Sequence, residues 1–422
     1  MTGRVALCKH GWLERIAKQG TPVPRLILPL FMMVMLIDGY DLAALPLALP
    51  YLVGDMGVEP SAFSGALSAV LLGLGVGALL IGPLGDRFGR RMLIVSSLIM
   101  IGVATVGTGF SASITDFTLW RFLTGVALGA CLPNVTAYTA EIAQPERKAT
   151  TLAVISAGIA VGGILAGLVT PLLVSAGGWQ LIFYVAGFFI FILAGALFLA
   201  LPAKRVQDDQ MIAAPALRGS ILAPLSPRYL FATAIFVGLY TVNAFILYMI
   251  VSWLPYLLTQ AQLSPDAASQ LTAFFQGGGL AGGLAISWFI DRGRRVAAFT
   301  IAYGLAIAAF FATGAATGDA LLWALLLLII GGGVSGAHLA IMALSASFYS
   351  QEVFSSAIGL AVAVARIGAI AGPLVGGMLV ARDLAPQSYL LLCAAPILVC
   401  VALVAISVRV RKADEKDVVT PR

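Results

Sequence analysis

The sequence predicts an all-α polytopic membrane protein, with twelve transmembrane helices in two pseudo-symmetric six-helix lobes. Three observations lead there. Of 422 residues, 60% are apolar and only 10% charged, whereas a soluble globular chain is roughly half apolar and about a quarter charged. The apolar residues gather in long runs that do not alternate, so they read as helices and not as barrel strands. A basic loop motif also recurs in the two halves. Mean hydropathy is +1.00, and so few charges could not cover a water-soluble fold of this size. The sparse charge also excludes disorder, and the absence of a Gly-X-Y period excludes collagen. Cys8, Cys131, Cys393 and Cys400 are the only cysteines and form no CxxC pair, so they are expected to be buried thiols and not bridges or metal ligands. The formal charge of +6 does not point to nucleic acid, because most basic residues sit in short loops between apolar runs.

Residues 1–25 carry Arg4, Lys9, Arg15, Lys18 and Arg25 and lack the short apolar core of a cleaved signal. Twelve spans are then predicted, at 25–50, 61–83, 92–112, 116–139, 150–175, 180–201, 229–257, 268–290, 297–317, 320–348, 354–381 and 387–408. Each can cross a hydrocarbon core of ~30 Å at ~1.5 Å per residue. With the N-terminus inside, 22 of the 25 Lys and Arg residues fall on the cytoplasmic side, so both termini are expected there. Arg382 falls in an outer loop, and Arg121 and Arg366 fall within spans. A polar stretch at 203–227, with Asp208, Asp209, Pro215, Pro224 and Pro227, reads as a cytoplasmic linker. It divides an N-terminal lobe, 1–202, from a C-terminal lobe, 228–422.

The loop after the second span is Gly82-Pro83-Leu84-Gly85-Asp86-Arg87-Phe88-Gly89-Arg90-Arg91, and the loop after the eighth repeats it as Asp291-Arg292-Gly293-Arg294-Arg295. Six spans, a linker, six more and a repeated loop describe a two-lobed transporter built by duplication. Gly82 and Gly85 allow close approach of a neighbouring span. The Asp86 carboxylate can dock on the positive N-terminal end of another helix, the eleventh being on this side. Arg87, Arg90 and Arg91 can bind headgroups or nearby acids. The G-x-x-x-D-R-x-G-R-R spacing resembles the signature of the major facilitator superfamily. That resemblance covers nearly the whole chain and implies the major facilitator fold, with this loop as a cytoplasmic gate.

Charges inside spans are costly and are functional candidates by default. The first span carries Asp38-Gly39-Tyr40-Asp41. Its two acids are three residues apart, so they share a helix face, and repulsion with lost solvation favours proton uptake by the pair; a helix break or a structural salt bridge is the competing account. Asp-Gly-x-Asp in this span resembles the mark of the aromatic acid:proton symporters. The Arg121-Phe122-Leu123-Thr124-Gly125 run and Pro133-Asn134 look like that family's fourth span. Arg366-Ile367-Gly368-Ala369-Ile370-Ala371-Gly372-Pro373 is similar to its eleventh. Leu201-Pro202-Ala203-Lys204 departs from it, lacking Pro-Glu-Ser.

The resemblance implies that the first and fourth spans line one lobe, so Arg121 is expected to neutralise Asp41 or Asp38 and to share in the proton coupling. Glu141, toward the inner end of the same span, either pairs with Arg147 or a loop arginine as a gate acid, or moves protons. In the second half Arg366 stands where no span offers an acid, so it needs an anion. A substrate carboxylate, bound bidentately, would supply one, and pairing with Asp38 or Asp41 is the competing account. His338 is the one histidine in a span and is either a packed donor or a substrate or proton contact. Tyr240 and Asn243, with Phe236, fall on one face of the seventh span, where they could stack on and hydrogen-bond a phenolic ring. Trp253, near the outer end, is expected to be a membrane-interface anchor.

Gly277–Gly282 and Gly331–Gly336 fit G-x-G-x-x-G but lie inside apolar spans, so they are not nucleotide sites. Gly158/Gly162 and Gly368/Gly372/Gly376 are close-packing series. No Walker loop, H-E-x-x-H or G-x-S-x-G occurs, which argues against a pump or an enzyme. The resemblance thus implies proton-coupled uptake of aromatic carboxylates such as hydroxybenzoate, protocatechuate or vanillate, in service of aromatic hydrocarbon catabolism. No cofactor, metal or nucleic acid is expected, and the chain is expected to act as a monomer in the cell membrane, the inner one in a Gram-negative cell. The alternatives are proton-antiport efflux, against which stands the lack of a Gly-Pro pair over Gly158–Gly167, and uptake of another small organic acid. A sensor or scaffold is disfavoured because no loop here could hold a soluble domain.

Overall fold

The computed structural model describes residues 26–144, 147–202, 223–316, 318–345, 348–349 and 351–418. The membrane helices are α1 (Ile27–Met56), α2 (Ser64–Val76), α3 (Arg90–Gly109), α4 (Ile114–Ile142), α5 (Gly158–Gly177), α6 (Gln180–Ala200), α7 (Leu230–Gln260), α8 (Pro265–Asp291), α9 (Arg295–Ala312), α10 (Ala320–Ser345), α11 (Gln351–Val380) and α12 (Ala394–Val418). A π turn, Gly77–Ile81, extends α2, and short helices Leu84–Phe88, Lys148–Ser156 and Pro386–Leu392 precede α3, α5 and α12. Most of the expected linker, residues 203–222, lies outside the described residues, as do the five N-terminal basic residues, Cys8 and His10.

Local chemistry sets several ends. The Ser113 and Ser264 side chains accept from Asp116 N and Ala267 N, at 3.2 Å each, capping α4 and α8. Gly57 closes α1 at φ 59°. The two copies of the basic loop each turn on a positive-φ glycine, Gly89 at 95° and Gly293 at 73°, where a side chain would be strained.

By length and composition, eleven of the described helices can cross a membrane. α4 falls short of their apolarity although it has 29 residues, because Asp116, Arg121, Pro133, Asn134 and Glu141 dilute it. It nevertheless packs within the first lobe against α2 and α3. Large apolar side chains face outward on many helices, Leu199 being 84% exposed, a surface that only lipid covers without cost.

The lobes repeat one packing scheme. α1 packs on α5 and α2 on α4 in the first lobe, and α7 on α11 and α8 on α10 in the second. Glycines bring the backbones together at each crossing. A Cβ on Gly39 would strike the Ile159 carbonyl of α5, and one on Gly368 would strike Thr241 of α7. The glycine series of α8 and α10 face each other at their crossing, as expected of helix packing and not of a nucleotide loop. Cys131, Cys393 and Cys400 are buried free thiols.

The lobes meet through α1–α7, α2–α11 and α5–α8. Among the described residues, two hydrogen bonds join them. Tyr51 Oη donates to Asp266 Oδ1 at 2.8 Å, and Ser68 Oγ donates to the Ile370 carbonyl at 2.9 Å. Both lie toward the end of the bundle opposite the basic loops. One expectation is corrected here. Trp253 is not an interface anchor: it is fully buried, donates to the Pro373 carbonyl at 3.0 Å and fills the space that Gly376 and Gly377 leave on α11. Its outer position suggested a lipid-headgroup role, but the glycines opposite it make a slot that takes the indole.

Candidate functional site

The charged residues inside the helices sort into three groups. The first centres on α1 and α4. Arg121 donates to Asp41 through Nη1 to Oδ1 at 2.8 Å and through Nη2 to Oδ2 at 2.7 Å, and Nη2 also reaches the Asp41 carbonyl at 3.0 Å. Both side chains are almost fully buried. A paired fork of this kind is the arrangement in which two buried charges satisfy each other best. Asp38 is equally buried but has no such partner. Its Oδ1 has no hydrogen bond, and the charges within its electrostatic reach are Asp41 and Arg366. Gly39, between the two acids, packs against the Ile159 carbonyl of α5.

The second group lies between the lobes. A small cavity is lined by Leu45 and Pro46 of α1, Leu67 and Val70 of α2, Arg121 of α4, and Tyr248 and Ser252 of α7. Asp41 also borders an apolar pocket between α1, α5 and α6. Arg366 of α11 lies in electrostatic range of Tyr248, His338, Tyr240 and Asp38. Among the described residues no carboxylate forms a salt bridge with it.

Beside Arg366, Tyr240 of α7 stacks on the His338 ring of α10, with centroids 4.6 Å apart and planes at 15°. Phe236 stacks behind Tyr240 at 6.3 Å. Asn243 does not share this open face. It is fully buried, and its amide is taken up by Val334 O, His338 Nδ1 and the Tyr303 hydroxyl.

The third group is the basic loop. Arg90 bonds Asp86 at 3.0 and 3.2 Å and also pairs with Glu141 at the end of α4. Arg91 donates to the Phe198 carbonyl at 2.6 Å and covers that ring, so it caps the end of α6. Arg87 lies over Phe88. Glu141 thus meets a loop arginine and not Arg147. Asp86 is 75% exposed, and its charged partner among the described residues is Arg90. In the sequence, Asn134 of α4 stands out only through the Pro133-Asn134 pair that resembles the family's fourth span. It donates to the Gly82 and Ala130 carbonyls at 2.9 Å each, and its side chain occupies the room that Gly85 leaves. A lone asparagine after a proline in an apolar span was the available signal. Tyr303, which joins the Asn243 cluster, carried none, since a tyrosine in a membrane helix is commonplace.

Comparison with known proteins fits this architecture. The family model described as Major Facilitator Superfamily matches residues 31–260 and 236–421. The chain belongs to the major facilitator superfamily, a family of transporters and not of enzymes, and the resemblance to its aromatic-acid branch is upheld by the relatives. It is 31% identical over 360 residues to the 3-(3-hydroxy-phenyl)propionate transporter of Escherichia coli, covering 84% of this chain and 87% of that one. It is 30% identical over 385 residues to a 4-hydroxybenzoate transporter of Pseudomonas aeruginosa, covering 84% and 86%. It is 28% identical over 386 residues to a gallate transporter of Pseudomonas putida, covering 85% and 86%. Among solved structures, a bacterial homolog of the lysosomal transporter Spinster in an inward-facing, unoccupied conformation superposes with TM-score 0.74 at 17% identity, over 94% of this chain and 99% of that one. The D-xylose-proton symporter superposes with TM-score 0.72 at 18% identity, over 89% and 96%. These two likenesses concern the fold.

Proposed function

We propose that the chain takes up a single-ring aromatic carboxylate together with a proton, by alternating access of its two lobes. One observation carries the reading: of the two arginines within the spans, only one has a carboxylate partner among the described residues. Arg121 is neutralised by Asp41, which leaves Arg366 for an anion from outside the protein. The neighbouring Tyr240–His338 stack offers an aromatic wall for the ring of such an anion. The names of the relatives support this substrate class.

Proton coupling rests on Asp38. A buried carboxyl without a salt-bridge partner gains by carrying a proton, and a charged Asp38 would compete with substrate for Arg366. Loading a proton there and binding an anion at Arg366 therefore favour each other. Asp41 and Arg121 hold the pair's geometry. The Gly82–Arg91 loop, with Asp86, Arg87, Arg90, Arg91 and Glu141, forms the gate on the cytoplasmic side, with both termini there. The lobes are fastened at the opposite end through Tyr51–Asp266 and Ser68–Ile370, and Asp86 is exposed, an arrangement in keeping with a state open toward the loops.

The test is uptake of a panel of labelled aromatic acids, including 4-hydroxybenzoate, gallate and 3-(3-hydroxyphenyl)propionate, into cells lacking their own carriers. Accumulation abolished by a protonophore is expected. Absence of uptake for every acid would overturn the substrate class, and uptake indifferent to the protonophore would overturn the coupling.

A further inference from the structure

A side-chain amide has two N–H donors on one atom and a carbonyl acceptor on the other. Around Asn243 those roles can be assigned. Asn243 Nδ2 lies 3.2 Å from the Val334 carbonyl and 3.2 Å from His338 Nδ1. Oδ1 accepts from Tyr303 Oη at 2.8 Å. A backbone carbonyl can only accept, so the atom facing Val334 must be the nitrogen. Turning the amide over would set two carbonyl oxygens against each other at full burial, where an unmet polar group is costly. With one Nδ2 hydrogen on Val334 O, the other points at His338 Nδ1. That ring nitrogen must then offer its lone pair, because two N–H groups cannot face each other. The proton of the neutral ring is left on Nε2.

We propose that Asn243, held by Val334 and Tyr303, locks His338 as its Nε2–H tautomer, so that His338 serves the site as a hydrogen-bond donor to an oxygen of the bound aromatic acid. The tautomer follows from the contacts alone. The contact with substrate rests on the functional reading above. Asn243 is then a positioning residue whose amide is already spent within the lobe. The stacked Tyr240 ring covers one face of the imidazole and leaves hydrogen bonding to the ring edge, where Nε2 lies. The site selects ligands that bring an acceptor to that edge, a carboxylate, phenolic or ether oxygen, and it rejects those that bring only a donor, because Nε2–H would lose its partner.

The chain has two histidines, so nitrogen NMR of the full-length protein in detergent is tractable. Comparison with His10→Gln identifies the His338 signals. The expected result is a protonated Nε2 and an unprotonated Nδ1, with the proton moving to Nδ1 in Asn243→Asp, whose carboxylate can only accept. A proton on Nδ1 in the wild type, or an unchanged pattern in a folded Asn243→Asp, overturns the lock.

The donor role is read separately, by equilibrium binding of 4-hydroxybenzoate to His338→Gln and His338→Asn. The Gln amide reaches the Nε2 position and the Asn amide reaches that of Nδ1. His338→Gln should bind more tightly than His338→Asn by about tenfold, the order of one hydrogen bond. Equal affinities overturn the donor role. Failure of the wild type to bind any aromatic acid would instead overturn the substrate reading, with the NMR result unaffected.

Discussion

Arg121 holds Asp41 by both carboxylate oxygens, at 2.8 and 2.7 Å, with the two side chains only 1% and 2% exposed. Asp38, one helical turn earlier on α1, is 3% exposed and has an oxygen with no donor. Two acids of the same type in one short motif are therefore unequal: one is paired with Arg121 and the other has no salt-bridge partner among the described residues.

That inequality gives a first prediction. Asp41→Asn strands the buried Arg121 charge and should destabilise the protein by about 3–5 kcal/mol, seen as a lower Tm in detergent, with much of the loss recovered in Asp41→Asn/Arg121→Gln. Asp38→Asn should leave Tm nearly unchanged while abolishing proton-driven accumulation. Protonophore-sensitive accumulation in Asp38→Asn would remove Asp38 from the coupling step.

Arg366 can be tested against its ligand. Arg366→Ala should cost about 2–5 kcal/mol of binding for an aromatic acid, as expected when one partner of a buried charged pair is removed. The corresponding amide should bind the wild type weakly and lose little more. Arg366→Lys keeps the charge without the planar fork and should fall between. Equal losses for acid and amide in equilibrium binding would show that Arg366 does not hold the carboxylate.

The loop should behave differently. Asp86 is 75% exposed, so its bond to Arg90 contributes only ~0–1 kcal/mol, and Asp86→Asn should barely change Tm. If Asp86 docks on a helix end when the loops close, transport rate falls in this variant while substrate affinity is kept. Wild-type turnover with lost affinity would contradict a gating role.

Two glycines of α1 make an internal control. A Cβ on Gly39 would collide with the Ile159 carbonyl, whereas one on Gly54 meets nothing within 4 Å. Gly39→Ala should cost about 1–3 kcal/mol through overpacking and reduce transport. Gly54→Ala should be neutral or stabilising by up to ~1 kcal/mol through helix propensity. Thermal melts of the two variants side by side decide it.

Much of this protein is legible in its sequence for a local reason. A membrane span is a run of apolar residues, and a buried charge within it stands out residue by residue, so the helices, the repeated loop and the residues Asp38, Asp41, Arg121, His338 and Arg366 could all be named without coordinates. α4 was recognisable as a span from its context in the series, although its polar residues leave it less apolar than its neighbours. What one helix offers another is not local. Asp38 and Asp41 share a face, and only the height at which α4 crosses α1 gives Arg121 to Asp41. That height depends on glycine contacts such as Gly39 on α5 and Gly73 on α4, spread over more than a hundred residues. Likewise Asn243 shares its helix with Tyr240, but the packing of α9 and α10 turns its amide inward to Tyr303, Val334 and His338. The glycines of α11 draw Trp253 inside. The sequence determined which groups are costly to bury, because that is a property of each side chain. The tertiary structure decided which partner meets each cost, because hydrogen bonds reach only about 3 Å and helix crossings set distances on that scale.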